Sequence, residues 1–219
     1  AEIWCGVRHG QTLGAPIGLI VRNKDWENWT RHMSVSPVGG EIRKVTLPRP
    51  GHADLAGVQK YGFDDIRNVL ERSSARETTM RVALGSICRK FIEDLGIQVG
   101  SRVIQIHDVK DDSEIPDGIA PNEMSQTADG SPVRCLDKKT EAGMIKTIDE
   151  AKTAGDSVGG IFQVIATGLP YGLGSPMQWD RKLQARITTM MMSVNAFKGI
   201  EIGGGTEGAE KLGSEVHDE

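Results

Sequence analysis

Residues 73–96, SSARETTMRVALGSICRKFIEDLG, carry the best helix signal in the chain. Ser74 and Glu77 have the spacing of a capping box, in which hydroxyl and carboxylate satisfy two orphan amides reciprocally. Behind them Met80, Leu84, Ile87, Cys88, Phe91, Ile92 and Leu95 fall on one face at helical spacing, and Gly96 stands where a left-handed C′ residue belongs. Downstream, β-like runs at Ile97 to Val109, Val133 to Leu136 and Val158 to Thr167 alternate with two further helices. One, Lys138 to Ala154, carries Met144, Ile145, Ile148 and Ala151 and stops at Gly155. The other, Arg181 to Ser193, takes Asp180 as N-cap and is expected to bury Leu183, Ile187 and Met191, with Met190-Met191-Met192 as core filling. Upstream, Ile3 to Val7, a Gly-rich turn over 8–14 and Ala15 to Val21 read as strand, turn, strand, while 22–45 has no clean period. The mixed order gives an α+β or layered α/β class. Residues 110–132 read as an exposed loop, and 203–219 as a flexible tail of one domain spanning 1–219.

The chain has 219 residues, 26 basic against 30 acidic, a net charge of -4 that excludes a bulk polybasic nucleic-acid binder. No stretch approaches the ~18 apolar residues of a membrane span, so a soluble protein is expected. Three cysteines without a CxxC pair give neither a disulfide framework nor a zinc site, and they fit a reducing cytoplasm. No metal ligand set is expected, because the histidines stand singly. The N-terminus shows no secretory signal, lacks an initiator Met and opens directly on a strand, so residues are expected upstream.

Two constellations could carry chemistry. In Pro48-Arg49-Pro50-Gly51-His52-Ala53-Asp54 the prolines hold the backbone extended on either side of Arg49, and one stiff turn presents a guanidinium fork beside an imidazole. That suits a phosphate or carboxylate with a proton donor next to it. A plain surface turn is equally compatible. In Arg72-Ser73-Ser74-Ala75-Arg76-Glu77 two hydroxyls and two guanidinium groups meet a helix N-terminus, where free amides and the helix dipole favour an anion. An ordinary capped helix with Arg76 paired to Glu71 or Glu77 would look the same.

Taken together and in order, Arg49-Pro-Gly-His-Ala-Asp54, Lys60-Tyr-Gly62 and Arg72-Ser-Ser-Ala-Arg-Glu-Thr78 resemble the signature of the chorismate synthases. Gly6-Val-Arg-His-Gly10, Thr12-Leu-Gly-Ala-Pro16, Asn23-Lys-Asp25 and Asn195-Ala-Phe-Lys-Gly199 before Glu201-Ile-Gly203 resemble that family's further segments. The resemblance implies an α+β fold of the β-α-β sandwich type, helices packed between antiparallel sheets, in a homotetramer. It implies elimination of phosphate from 5-enolpyruvylshikimate 3-phosphate to give chorismate, with reduced FMN required but not consumed and NADPH as a possible reductant. By resemblance Arg49 and Arg76 would hold the anionic small-molecule substrate, and His52 would be a catalytic histidine. Arg72, Ser73, Ser74, Asn195 and Ala196 would line the FMN site. The family's Gly-Glu-Ser-His-Gly segment, with its other active-site histidine, its arginine-rich stretch and its C-terminal Lys-Pro-Ile-Pro-Thr and Arg-Ser-Asp segments have no counterpart, so the chain reads as a central portion. Leu70-Glu71 replaces the family's common Gly-Gly. The alternative is a non-catalytic anion- or flavin-binding module.

Overall fold

The computed structural model describes residues 1–116 and 118–217. They form two compact units, one of residues 1–86 with 174–219 and one of residues 87–173.

In the first unit, β1 (Glu2–Cys5) pairs antiparallel with a three-residue strand, Gly18–Ile20, and a tight hairpin lies between them, Val7–Arg8 against Gln11–Thr12. In chain order these three are β2 (Val7–Arg8), β3 (Gln11–Thr12) and β4 (Gly18–Ile20). The hairpin turns through His9 and Gly10, both at positive φ, the geometry of a primed two-residue turn whose twist matches its strands. Residues 22–53 contain a short 3₁₀ turn, Trp26–Asn28, and no strand. Then come α1 (Asp54–Tyr61) and α2 (Arg67–Ser73), neither of them expected from the sequence. They touch at Gly57, where a Cβ would stand 2.5 Å from a methyl of Val69, so only hydrogen fits between the helices.

The long helix is α3 (Arg76–Glu93), within which the two units divide, and Gly96 follows it at φ 85°. Its apolar stripe is real in sequence, but no residue of α3 is buried: Leu84 and Phe91 are each more than half exposed, as is Leu95 just beyond the helix. Neither does the last helix, α6 (Leu183–Met192, in the first unit), bury Leu183, Ile187 or Met191, and Met190 is largely exposed rather than core filling. Amphipathic spacing says which face can be covered, and the packing within each unit does not cover these. Asp180 lies in a separate 3₁₀ turn, Trp179–Arg181, so α6 starts two residues later than expected, after Lys182.

The second unit is an antiparallel three-stranded sheet in the order β6-β5-β7, with β5 (Gln98–Ile106), β6 (Val109–Lys110) and β7 (Gly160–Thr167). Val133–Leu136, expected as a strand, is irregular. The segment 110–132 is not a simple exposed loop: it holds α4 (Pro121–Asp129), which buries Pro121, Met124, Ser125 and Ala128. That helix lies close on β5, since a Cβ on Gly100 would overlap the Pro121 carbonyl, and Ser125 Oγ accepts the Ser101 amide at 2.7 Å. The last helix of this unit is α5 (Lys138–Ala154); Asp137 caps its start through the Thr140 amide, and Gly155 ends it in the left-handed region. Met124, Ala128, Cys135 and Met144 make the apolar core with Ile97. The tail from Gly203 forms two 3₁₀ turns, Gly205–Glu210 and Gly213–Glu215; the last two residues of the expected flexible stretch lie outside the described residues. No helix among the described residues is long and apolar enough to cross a membrane.

Candidate active site

All eight residues singled out from the sequence fall in the first unit. In the turn before α1, Arg49 and Asp54 form a closed unit. Arg49 donates to Asp54 Oδ2 from Nε at 3.0 Å and from its own amide at 2.9 Å, and to Oδ1 from Nη2 at 3.1 Å. The Asp54 side chain is fully buried while that of Arg49 is about half exposed, so the carboxylate aims the fork and leaves Nη1 outward. The guanidinium hydrogen bonds hold the Asp54 carboxyl below the usual carboxylate range, against the opposing effect of burial. Spacing alone did not reveal this partner of Arg49.

His52 is exposed, two residues before Asp54, behind Gly51 at φ 70°. Its Nδ1 lies 2.9 Å from the Pro50 carbonyl. A carbonyl only accepts, so Nδ1 carries the proton and Nε2 is the atom left to hold or pass another.

At the junction of α2 and α3 the capping box expected at Ser74 and Glu77 does not form. Ser74 Oγ accepts the Arg76 amide at 3.1 Å, whereas the Glu77 carboxylate receives Arg81 Nε at 2.9 Å, an i,i+4 pair that wins over the back-reach. Ser73 donates its hydroxyl proton to Val69 O at 2.9 Å within α2, so it offers a ligand an acceptor only. Arg76 lies 3.7 Å from Glu71, a loose and mostly solvated pair, and Arg72 has no side-chain partner among the described residues.

Asn195, more than 120 residues downstream, arrives at this junction. Its Nδ2 donates to Ser74 O at 3.2 Å and to Arg72 O at 3.4 Å, which fixes the carbonyls bracketing Ser73. Ala196 beside it sits at φ 71°, a left-handed conformation that costs a non-glycine residue ~1 kcal/mol or more. The Asn23-Lys-Asp25 segment is near as well. Hydrogen bonds from Asn28 and then Trp29 hold the Asp25 carboxyl below its ordinary range, and the Arg76 charge adds to the effect. Asp25 is a residue that sequence reading placed in a motif without giving it a role.

A family model described as chorismate synthase matches residues 1–219. The chain belongs to that family. It is 53% identical to the chorismate synthase of Geobacillus sp. (strain WCH70) and 51% identical to that of Listeria welshimeri, in each case over the whole chain and 56% of the relative. A crystal structure of chorismate synthase superimposes with a TM-score of 0.81 at 41% identity, covering the whole chain and 59% of that protein. The chain therefore spans little more than half the length of the curated chorismate synthases it matches. The α+β class with antiparallel sheets agrees with the solved relative.

Proposed function

We propose that the full-length protein is a chorismate synthase, converting 5-enolpyruvylshikimate 3-phosphate to chorismate and phosphate by anti-1,4-elimination. One ring C–H and one C–O bond break, one ring double bond is added, and no net oxidation occurs. The observation that supports this reading is the convergence on one junction of Arg72, Ser73, Ser74 and Arg76 with Asn195 and Ala196, from segments some 120 residues apart.

In this reading Arg49, aimed by Asp54, and Arg76 bind the fixed anionic groups of the substrate, and His52 holds or passes a proton at Nε2. The donor set at the start of α3 fits a phosphate-bearing flavin: helix amides, the Ser74 hydroxyl with its proton still free, and the unpaired Arg72. Arg72, Ser73, Ser74, Asn195 and Ala196 would hold reduced FMN, which when bound supplies transient electron density to the breaking C–O bond. The substrate is a small anionic molecule, and neither nucleic acid nor membrane is called for. A cytoplasmic homotetramer is the expected form, with NADPH as reductant if the protein reduces its own flavin.

Full-length protein with reduced FMN should release phosphate from the substrate under anaerobic conditions, and absence of turnover would overturn the proposal. A non-catalytic anion- or flavin-binding module is the second reading, favoured by the carboxylate partners that Arg49 and Arg76 already have. Assaying the chain with and without its family's flanking segments separates the two. His52→Ala should keep the fold, since the side chain is exposed and bonded only to Pro50, and should lower turnover by ~10-fold or more. Wild-type turnover in that variant would make His52 a turn residue.

A further inference from the structure

A cavity of about 470 Å³ opens in the first unit, lined among others by Trp29, His32, Arg43, Lys44, Thr46 and Arg67 but by neither Arg49 nor Asp54. Its wall contains three permanently charged basic side chains and no carboxylate. Asp25 is engaged by Asn28 and Trp29; of the other two nearby acids, Asp64 pairs with Lys44, and Asp65 Oδ1 accepts the amides of Val45 and Arg67 at 3.1 and 2.9 Å. Neither reaches the guanidinium groups of Arg43 or Arg67 in any hydrogen bond or ion pair among the described residues.

Arg67 is the unusual member. Its guanidinium carbon lies 4.8 Å from the centre of the Trp29 ring, and its Nε is buried without a hydrogen-bond partner. A desolvated, unpaired guanidinium donor costs the fold a polar interaction, and stacking on an indole does not restore it. Trp29 is held in turn by its own Nε1–H bond to Asp25 and by an edge contact with His32, at a centroid distance of 6.1 Å. The stacked fork is thus held in one orientation on the cavity wall, with its buried Nε closed to solvent.

We propose that this cavity binds a phosphate monoester of a small polar molecule. Arg67 and Arg43 supply the planar forks that match a phosphate, beside a Lys44 whose charge Asp64 already shares. The volume exceeds what orthophosphate fills and lies in the range of small-ligand sites, while Thr46 and Asn28 offer hydroxyl and amide groups to the remainder of the ligand.

Proton–nitrogen correlation spectra of the chain should show one indole signal for each of its four tryptophans, and Trp29→Phe would identify that of Trp29. Titration with glycerol 3-phosphate should move the Trp29 signal saturably and leave that of Trp179 in place. Glycerol or sodium chloride at matched ionic strength should move neither. Arg67→Gln should weaken the response at least 10-fold. Arg43→Ala, at an exposed position where folding is not at stake, should weaken it ~3-fold or more. Binding at the α2–α3 junction would be insensitive to Arg43→Ala. No saturable shift of Trp29, a shift reproduced by salt, or a shift unchanged in Arg43→Ala overturns the proposal.

Discussion

In residues 87–173, Ile97, Met124, Ala128, Cys135 and Met144 are buried together under one sheet and two helices, and none of the proposed chemistry is there. In residues 1–86 with 174–219, the buried apolar side chains are Ile66 and Val69 among the described residues, and every candidate site residue is there. The second unit is held by apolar packing with the hydrogen-bond network of Asp111 beside it. The first is held mainly by directed polar contacts: Arg49 on Asp54, Asn195 on two carbonyls, Asp25 on Trp29. Polar contacts position a side chain to tenths of an ångström but contribute little net stability, whereas core burial does the reverse. The site region is therefore the softer of the two, as regions that must accept ligands commonly are.

The largest effect expected from this contrast is at Met144, fully buried in the second unit. Met144→Ala should cost about 3 kcal/mol through lost transfer energy and the cavity left behind. Hydrogen exchange should show protection falling in β5, β7 and α5 while the amides around α1 and α2 change little. A parallel loss of protection in both regions would break the comparison by making the two units one cooperative structure.

A somewhat smaller effect is expected at Asp111, which organises the second unit from within its polar network. Its carboxylate accepts the amides of Leu136 and Ser113 at 2.7 and 3.0 Å and the Ser113 hydroxyl at 2.5 Å. Burial pushes its pKa up, but those hydrogen bonds together outweigh burial and hold the carboxyl below its ordinary value. The folded state therefore binds this proton more weakly than the unfolded chain does. The stabilisation is present in full above the unfolded pKa of ~3.9 and is lost as pH falls through the lower folded value. Asp111→Asn should cost about 2 kcal/mol at neutral pH, and the gap from wild type should begin to narrow below about pH 4 and close only below the folded pKa. A gap that stays constant in acid, followed by denaturant titration at several pH values, would show that Asp111 acts by shape rather than by charge.

The same contrast explains what the sequence made legible. Helix α5 runs from Lys138 to Ala154 as expected, and α3 ends within two residues of expectation, because capping and periodicity are local properties. Helix α4 was hidden in a polar, acidic stretch, although Pro121 at its first turn and the spacing of Pro121, Met124, Ser125 and Ala128 mark a narrow buried face. Helices α1 and α2 are only eight and seven residues long and meet through Gly57, so a helical period has barely two turns in which to show. In the site, the local turn geometry of Arg49 and His52 was readable, but the Asp54 carboxylate that aims Arg49 was not. Asn195 could be joined to Ser74 only by resemblance to a family, since no periodicity spans 121 residues. The stacking of Arg67 on Trp29 had no sequence signal.

The smallest stability effect, and the sharpest test of the polar half of the comparison, belongs to Asn195. Its two bonds are long, 3.2 and 3.4 Å, and the side chain is partly solvated, so Asn195→Ala should cost no more than about 1 kcal/mol. Its effect on the junction should be disproportionate. Without that amide the carbonyls of Arg72 and Ser74 lose their shared anchor, and the loop between α2 and α3 can relax away from Ala196. Asn195→Asp makes the contrast sharper: a carboxylate has the same shape, cannot donate, and repels both carbonyls. FMN affinity of the full-length protein should fall several-fold in Asn195→Ala and further in Asn195→Asp, with thermal midpoints within a few degrees of wild type. If the two variants bind FMN equally well, the amide donor is not what shapes the junction. If the midpoints collapse with the affinity, Asn195 is part of the structural frame, and the division between a packed unit and a polar, positioning one does not hold at this place.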